Sequence, residues 1–267
     1  VGIQHGIVYP KHFAYRHDAD ETDCPVPDRT AVFGDAARRF LEERGHYAPG
    51  SLVVTGSPKF DELLEAARSW DREALRARFG IAPEERLVVV ASRYRGIRET
   101  FQSIGSAFAS LLRAIEAMGG VRCLVKPHPA EKPDAYEADV RRTGVERSRV
   151  LAPGADLMEL LHASDALVTV ESLSAVEALV LGRPVLILNM PTNLRELVEQ
   201  GVALGVAAGE DPGPPLRSLL FDRDAAARLA AARERYLSDL AMGVDGRATR
   251  RILELVRDTA RRGVMVG

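Results

Sequence analysis

Cys123-Leu124-Val125-Lys126-Pro127-His128-Pro129 is an apolar run that ends abruptly in a stiff, cation-bearing corner. Proline fixes φ and lacks an N–H, and the residue before each proline is driven toward extended geometry. A strand is therefore expected to stop there, with Lys126 and His128 fixed at its carboxyl end. Two readings stand side by side: a rigid surface loop that holds a His, or a pre-organised place for an anion. Working outward, Val/Ile/Leu-rich runs recur at Thr30–Phe33, Leu52–Thr55, Leu87–Ala91, Arg122–Val125, Arg149–Leu151, Ala166–Val170, Val185–Leu188 and Val202–Val206. Between most of them, apolar residues three or four apart predict helices over Asp35–Arg44, Phe60–Arg78, Glu99–Met118, Asp134–Thr143, Leu157–His162, Ser174–Leu181 and Leu194–Gln200. Continuous apolar strands alternating with helices predict an α/β fold, a Rossmann-like parallel sheet with helices on both faces.

The segment Thr55-Gly56-Ser57-Pro58 interrupts this rhythm, and the long polar helix after it has the character of a connection between lobes. A boundary is expected there, separating residues 1–57 from residues 58–267. A second break at Gly209–Pro215 precedes Arg/Ala-rich helical patterns over Asp224–Leu240 and Arg247–Arg261, which read as solvated helices with one packed face. The opening Val1-Gly2-Ile3-Gln4-His5-Gly6 has no Met and runs as if inside a strand, so the chain reads as a fragment with preceding residues missing.

Charge and cysteine usage narrow the classes. The sequence carries 36 Lys and Arg against 38 Asp and Glu, a net charge of −2, which gives no global electrostatic case for nucleic acid as a partner. Cys24 and Cys123 are far apart and fit no metal-ligand spacing, which favours a reducing, cytoplasmic compartment and no structural zinc. No window approaches the roughly 18 consecutive apolar residues of a membrane span. Peripheral association with a membrane is compatible with that. No His-x₃-His pair, GxSxG elbow, GxxxxGK[ST] loop or GxGxxG fingerprint is present. Neither a metal nor a cofactor is expected.

In a parallel α/β sheet, ligands bind outside the carboxyl ends of the strands. That rule selects Ser92, Arg93, Tyr94 and Arg95 after one strand, Lys126 and His128 after the next, then Glu171, Ser172 and Ser174, and Asn189. In Val170-Glu171-Ser172-Leu173-Ser174-Ala175-Val176-Glu177, the free N–H groups of a helix start and two hydroxyls suit phosphate oxygens. Glu177, three residues past Ser174, either closes a capping box or accepts from ribose hydroxyls. At the amino end, His5 follows a strand and precedes Gly6; it reads as a group that orients a sugar or a transferred phosphate, or as a loop His bonded to backbone.

These blocks, in this order, resemble nucleotide-sugar-dependent glycosyltransferases of the GT-B fold. The match rests on Gln4-His5-Gly6, Pro27-Asp28-Arg29, Val32-Phe33-Gly34-Asp35 and Val53 through Asp61; on Lys126-Pro127-His128-Pro129; on Asp165 through Glu177-Ala178-Leu179, Gly182 and Pro184-Val185-Leu186; and on Asp245-Gly246, Ala248 and Arg251-Ile252. Within that superfamily the Lys-Pro-His-Pro block with Ser172 and Ser174 is similar to capsule and surface-polysaccharide enzymes using CMP- or CDP-activated donors. Sialyltransferases, Kdo transferases and CDP-glycerol glycerophosphotransferases are examples. Non-hydrolysing UDP-N-acetylglucosamine 2-epimerases share the later Glu-Ala-Leu, Gly and Pro-Val-Leu block, but Ser172-Leu173-Ser174 stands where they carry Ser-Gly-Gly.

The resemblance implies that residues 1–57 close an acceptor lobe and residues 58–267 bind the donor nucleotide. It implies a metal-independent transferase with a nucleotide-activated sugar or polyol donor and a glycan or lipid-linked acceptor. Ser92, Arg93, Lys126, His128, Ser172, Ser174 and Glu177 would hold the donor, and His5 and His128 are the catalytic candidates. The carboxylate base of such enzymes comes from an amino-terminal lobe that this chain mostly lacks. A 2-epimerase-like isomerase and a non-catalytic nucleotide-binding module are the alternatives.

Overall fold

The computed structural model describes residues 1–8, 15, 26–92, 101–129, 131–152, 154–240 and 244–264, with side chains described at all of these except 92, 101–104, 239–240 and 263–264. The chain forms two compact units, Val1–Ala66 with Arg235–Gly267, and Ala67–Glu234. The first is therefore discontinuous. The expected split instead carried the closing helices with the second unit. Helical periodicity shows that a segment has an apolar face but not which distant sheet receives it.

Unit 1 holds three parallel strands in the order β1 (Gly2–Ile3), β2 (Thr30–Val32), β3 (Leu52–Val54). Side chains alternate across a strand, and both faces are used. Val32 and Leu52 pack with Leu41 of α1 (Asp35–Arg44), whereas Ala31 packs with Ile252 and Leu255 of the last helix, Val53 lying against them. The helix α2 (Pro58–Ser69) leaves this sheet. Asp61 on α2 accepts from the Gly246 and Ala248 N–H groups at 2.8 Å each, capping the start of the last helix from far away in sequence. Arg251 pairs with Asp245 and donates to the Thr55 carbonyl at 3.0 Å. Two of the sequence blocks quoted above thus meet inside one unit.

Unit 2 opens with α3 (Arg72–Arg78), so the single helix expected over Phe60–Arg78 is two. The break is Asp71, whose carboxylate accepts from Glu73 N at 2.9 Å and Ala74 N at 3.2 Å and so starts a new helix. Six parallel strands follow: β4 (Arg86–Ser92), β5 (Val121–Pro127), β6 (Ser148–Val150), β7 (Ala166–Thr169), β8 (Val185–Met190) and β9 (Leu204–Ala207), in spatial order β6-β5-β4-β7-β8-β9. The chain builds outward from β4 on one side, then returns to add β7 on the other. The topological switch point therefore lies between β4 and β7.

The helices are α4 (Phe101–Met118), α5 (Pro133–Thr143), α6 (Leu157–Ala163), α7 (Ser174–Val180), α8 (Arg195–Glu199), α9 (Gly213–Phe221) and α10 (Arg223–Leu240), with α11 (Ala248–Val264) returning to unit 1. Phe108, Leu111, Leu112 and Ile115 form one stripe of α4 and cover Val88, Val90, Cys123 and Val125. Leu87 and Val89 face the other way and are equally buried; α6 and α7 pack over that side. Near-continuous burial along β4 is the reason its sequence shows no polar alternation.

Candidate functional site

The carboxyl ends of β5, β4 and β7 lie side by side, and Lys126, His128 and Ser172 stand at or just beyond the ends of β5 and β7. Ser92 ends β4 and is the register partner of Pro127, while Val90 pairs with Val168. The Thr169 hydroxyl donates to the Ala91 carbonyl at 2.7 Å, tying β7 to β4 at the switch point. Sequence reasoning had no signal for this bond, since Thr169 sits within an ordinary apolar strand run.

Lys126 is a correction. It belongs to β5 itself and is only 6% exposed, rather than projecting beyond the strand. Its Nζ donates to the Pro127 carbonyl at 3.1 Å. Burial lowers its pKa from the ordinary lysine value, and the charge of Asp156 opposes this. The physical reason is that the strand's ladder continues to Pro127, two residues farther than the apolar run alone indicates. His128 is exposed, as the corner predicts, and its carbonyl accepts from Glu131 N at 2.8 Å.

The segment after β7 turns through Ser172, whose Oγ accepts from Ser174 N at 3.1 Å, before α7 begins. The helix N-cap is Leu173, with no side-chain cap. Of the two readings of the Ser174–Glu177 spacing, the capping box is therefore not the one the helix start shows. Ser174 is inside the first turn, 2% exposed, and its hydroxyl has no partner among the described residues. Glu177 is likewise buried on the same helix. A buried hydroxyl without a partner, in the first turn of the helix that follows β7, is a group suited to a ligand oxygen.

Arg93, Tyr94 and Arg95 lie outside the described residues, as does the side chain of Ser92. His5 sits in unit 1 at the end of β1, exposed, with its N–H donating to the Tyr15 hydroxyl at 3.0 Å and its Nδ1 3.2 Å from the same oxygen. The neighbouring Gln4 is buried and clamps the rim of that sheet, accepting from Phe33 N at 2.8 Å and donating to the Gly6 carbonyl at 2.7 Å. Asn189, at the end of β8, has φ of 61°, a left-handed backbone that Asn tolerates better than most residues. Among the described residues no group of three His, Cys, Asp or Glu side chains is placed to hold a metal ion. Among them, too, no helix is long and apolar enough to cross a membrane.

Comparison with known proteins follows the same outline. A profile of the family described as CDP-glycerol:poly(glycerophosphate) glycerophosphotransferase matches residues 10–196. The chain is 26% identical over 205 residues to the UDP-N-acetylglucosamine–N-acetylmuramyl-(pentapeptide) pyrophosphoryl-undecaprenol N-acetylglucosamine transferase of Moorella thermoacetica, covering 72% of this chain and 51% of that protein. It thus spans about half the length of the curated relative it matches. Among solved structures, the UDP-GlcNAc 2-epimerase of Neisseria meningitidis bound to UDP-GlcNAc superposes with a TM-score of 0.63 at 17% identity, over 86% of this chain and 61% of that one. A variant of the wall teichoic acid polymerase TagF superposes with a TM-score of 0.60 at 14% identity, over 89% of this chain and 59% of that one. At such identities the likeness bears on the fold, which is the GT-B-like α/β class expected from the sequence.

Proposed function

Because this chain belongs to the CDP-glycerol:poly(glycerophosphate) glycerophosphotransferase family, a family of transferases, we propose that it moves a polyol phosphate or sugar from a cytidine-nucleotide donor to a surface-polymer acceptor. The observation that supports the reading is the convergence of β5, β4 and β7 on one rim. Lys126 and His128 stand at the end of β5, and Ser172 and Ser174 follow β7, the two strands that flank β4. For a CDP-polyol donor, an acceptor hydroxyl attacks the polyol-bearing phosphorus and gives up its proton to a general base, the bridging P–O bond breaks, and CMP leaves with the electron pair. Charge then grows on the CMP phosphate. His128, Arg93 and Lys126, together with the N–H groups and hydroxyls at the start of α7, would offset it without a metal ion. Glu177 is assigned to the ribose. A reducing, cytoplasmic setting is part of the proposal, in keeping with the buried free thiol of Cys123.

His128→Ala tests the donor rim, because its exposed side chain can be removed without disturbing the strand. CMP and CDP affinity should fall about tenfold or more, the loss of one charge-assisted hydrogen bond. Unchanged affinity in calorimetric titration would return the corner to a rigid surface loop. For the buried Lys126, Lys126→Met keeps the packing and should weaken phosphate-bearing ligands but not cytidine. His5 is a separate claim: His5→Ala should lower kcat and leave CMP affinity unchanged. Release of CMP or CDP on incubation with acceptor is the activity itself, whereas interconversion of UDP-sugar epimers would overturn the transfer reading.

A further inference from the structure

The same strands have a second charged end. Immediately before β7, the Asp165 carboxylate accepts from Arg72 at 2.9 Å, Arg76 at 3.1 Å, Arg86 at 3.3 Å and Leu87 N at 2.7 Å. The adjacent Ser164 carbonyl accepts from Arg72 Nη2 at 3.0 Å and from Arg183 Nη1 at 3.3 Å, so two guanidinium groups flank one oxygen. A third stands beside them: Arg233 Nη1 lies over Gly182, 2.9 Å from where a Cβ would be. Gly182 has φ of 75°, and its missing side chain leaves room for that guanidinium. Arg72, Arg76, Arg86, Arg183 and Arg233 therefore gather in one region around the carboxylate of Asp165. Among the described residues neither Arg183 nor Arg233 forms an ion pair, and the Nε groups of Arg72, Arg183 and Arg233 are buried without acceptors.

Such a cluster is a standing excess of like charge held at close quarters, with fork-shaped donors unspent. Burial and the nearness of Arg72, Arg233 and Arg76 lower the pKa of the Arg183 guanidinium, against the attraction of Asp165. The region is open to solvent through Arg72 and Arg86, whose side chains are 31% and 50% exposed. We propose that Arg72, Arg183 and Arg233 form a second anion site, at the amino end of the unit 2 sheet, that takes the oxygens of a phosphate group. It lies at the opposite end of β4 and β7 from the donor rim and does not depend on the donor assignment. A phosphate carried by a small molecule and one repeated along a phosphodiester polymer share this chemistry.

The test is calorimetric titration of the full chain with inorganic phosphate and, separately, with a short glycerophosphodiester oligomer, on the wild type and on Arg183→Gln, Arg233→Gln and His128→Ala. Saturable binding by the wild type is expected, weakened about tenfold or more in each Arg variant and kept in His128→Ala. In phosphate-free buffer the Arg variants should melt no lower than the wild type, because a repelled cation has been removed, and this shows the fold intact. Arg233→Lys, which keeps the charge without the fork, should bind more weakly than the wild type if a variant to Gln does not fold. Tighter binding of the oligomer identifies a polymer as the source, tighter binding of inorganic phosphate a small molecule. No saturable binding of either probe overturns the site. So does affinity unchanged in every Arg variant, or affinity lost only in His128→Ala.

Discussion

Asp165 holds Arg72, Arg76 and Arg86 and the Leu87 N–H through two oxygens, so Asp165→Asn would leave several guanidinium groups facing one another without an acid. A loss of about 3–5 kcal/mol is expected, typical of breaking a largely buried pair from one side, and urea unfolding at neutral pH measures it. Burial alone would raise the pKa of this carboxyl, but the Leu87 N–H and the arginines outweigh it and the net direction is down. The folded chain therefore holds the proton less tightly than the unfolded one. The stability due to Asp165 is complete above the ordinary Asp range, near pH 4, and drains away as pH falls through the lower native value. The same acid titration on Asp165→Asn should be flatter there; an unchanged slope would remove Asp165 from the account. At this scale the sequence was a partial guide. His128 could be placed because two prolines leave the chain few options, but the burial of Lys126 depends on how far β5 pairs with β4, and the Asp165 cluster joins residues from α3, β4 and the turn before β7.

Among the elements, α11 shows most clearly how a helix start can be fixed from outside. Asp61→Ala should cost about 0.5–2 kcal/mol, the usual loss of an N-cap, and hydrogen exchange should rise first at Gly246 and Ala248. Exchange unchanged at those two amides would show that the cap is dispensable. Asp71 and Asp156 do the same work locally for α3 and α6, accepting from N–H groups two and three residues ahead, yet the helical pattern that continues on both sides of Asp71 hid its break. The helix α9 was not readable. Pro214 and Pro215 looked like a break, yet both stand in its first turn, where a helix has no N–H to lose. The α7 start is the reverse case, a Ser-x-x-Glu spacing that suggested a capping box where Leu173 proved to be the cap. Strand and helix existence was legible from periodicity because one face of each element is dry; the ends were set by tertiary partners.

On the scale of the whole molecule, the parallel sheet was foreshadowed by alternating apolar runs, while its strand order, the switch point that follows from it and the discontinuous first unit were not. No local pattern ties Ile252 and Leu255 to Ala31. Cys123, in the centre of β5, reports on the larger sheet. Burial pushes its thiol up to about 12, so in a Cys24→Ser background it should resist a thiol reagent at pH 8 until the sheet opens. Labelling that outpaces unfolding measured by circular dichroism would contradict this. The interrupted unit also has a consequence for biosynthesis. Residues Ala67–Glu234 are contiguous and should fold as soon as they leave the ribosome, as a separately expressed fragment with a cooperative thermal transition would demonstrate. Ala31 and Val53, made early, must wait for α11, a delay on the order of 10–40 s at elongation rates of about 5–20 residues per second. Nascent chains stalled before Ala248 should therefore carry a protease-resistant second unit beside a protease-sensitive first one, and that half-covered sheet is the surface on which a chaperone would act.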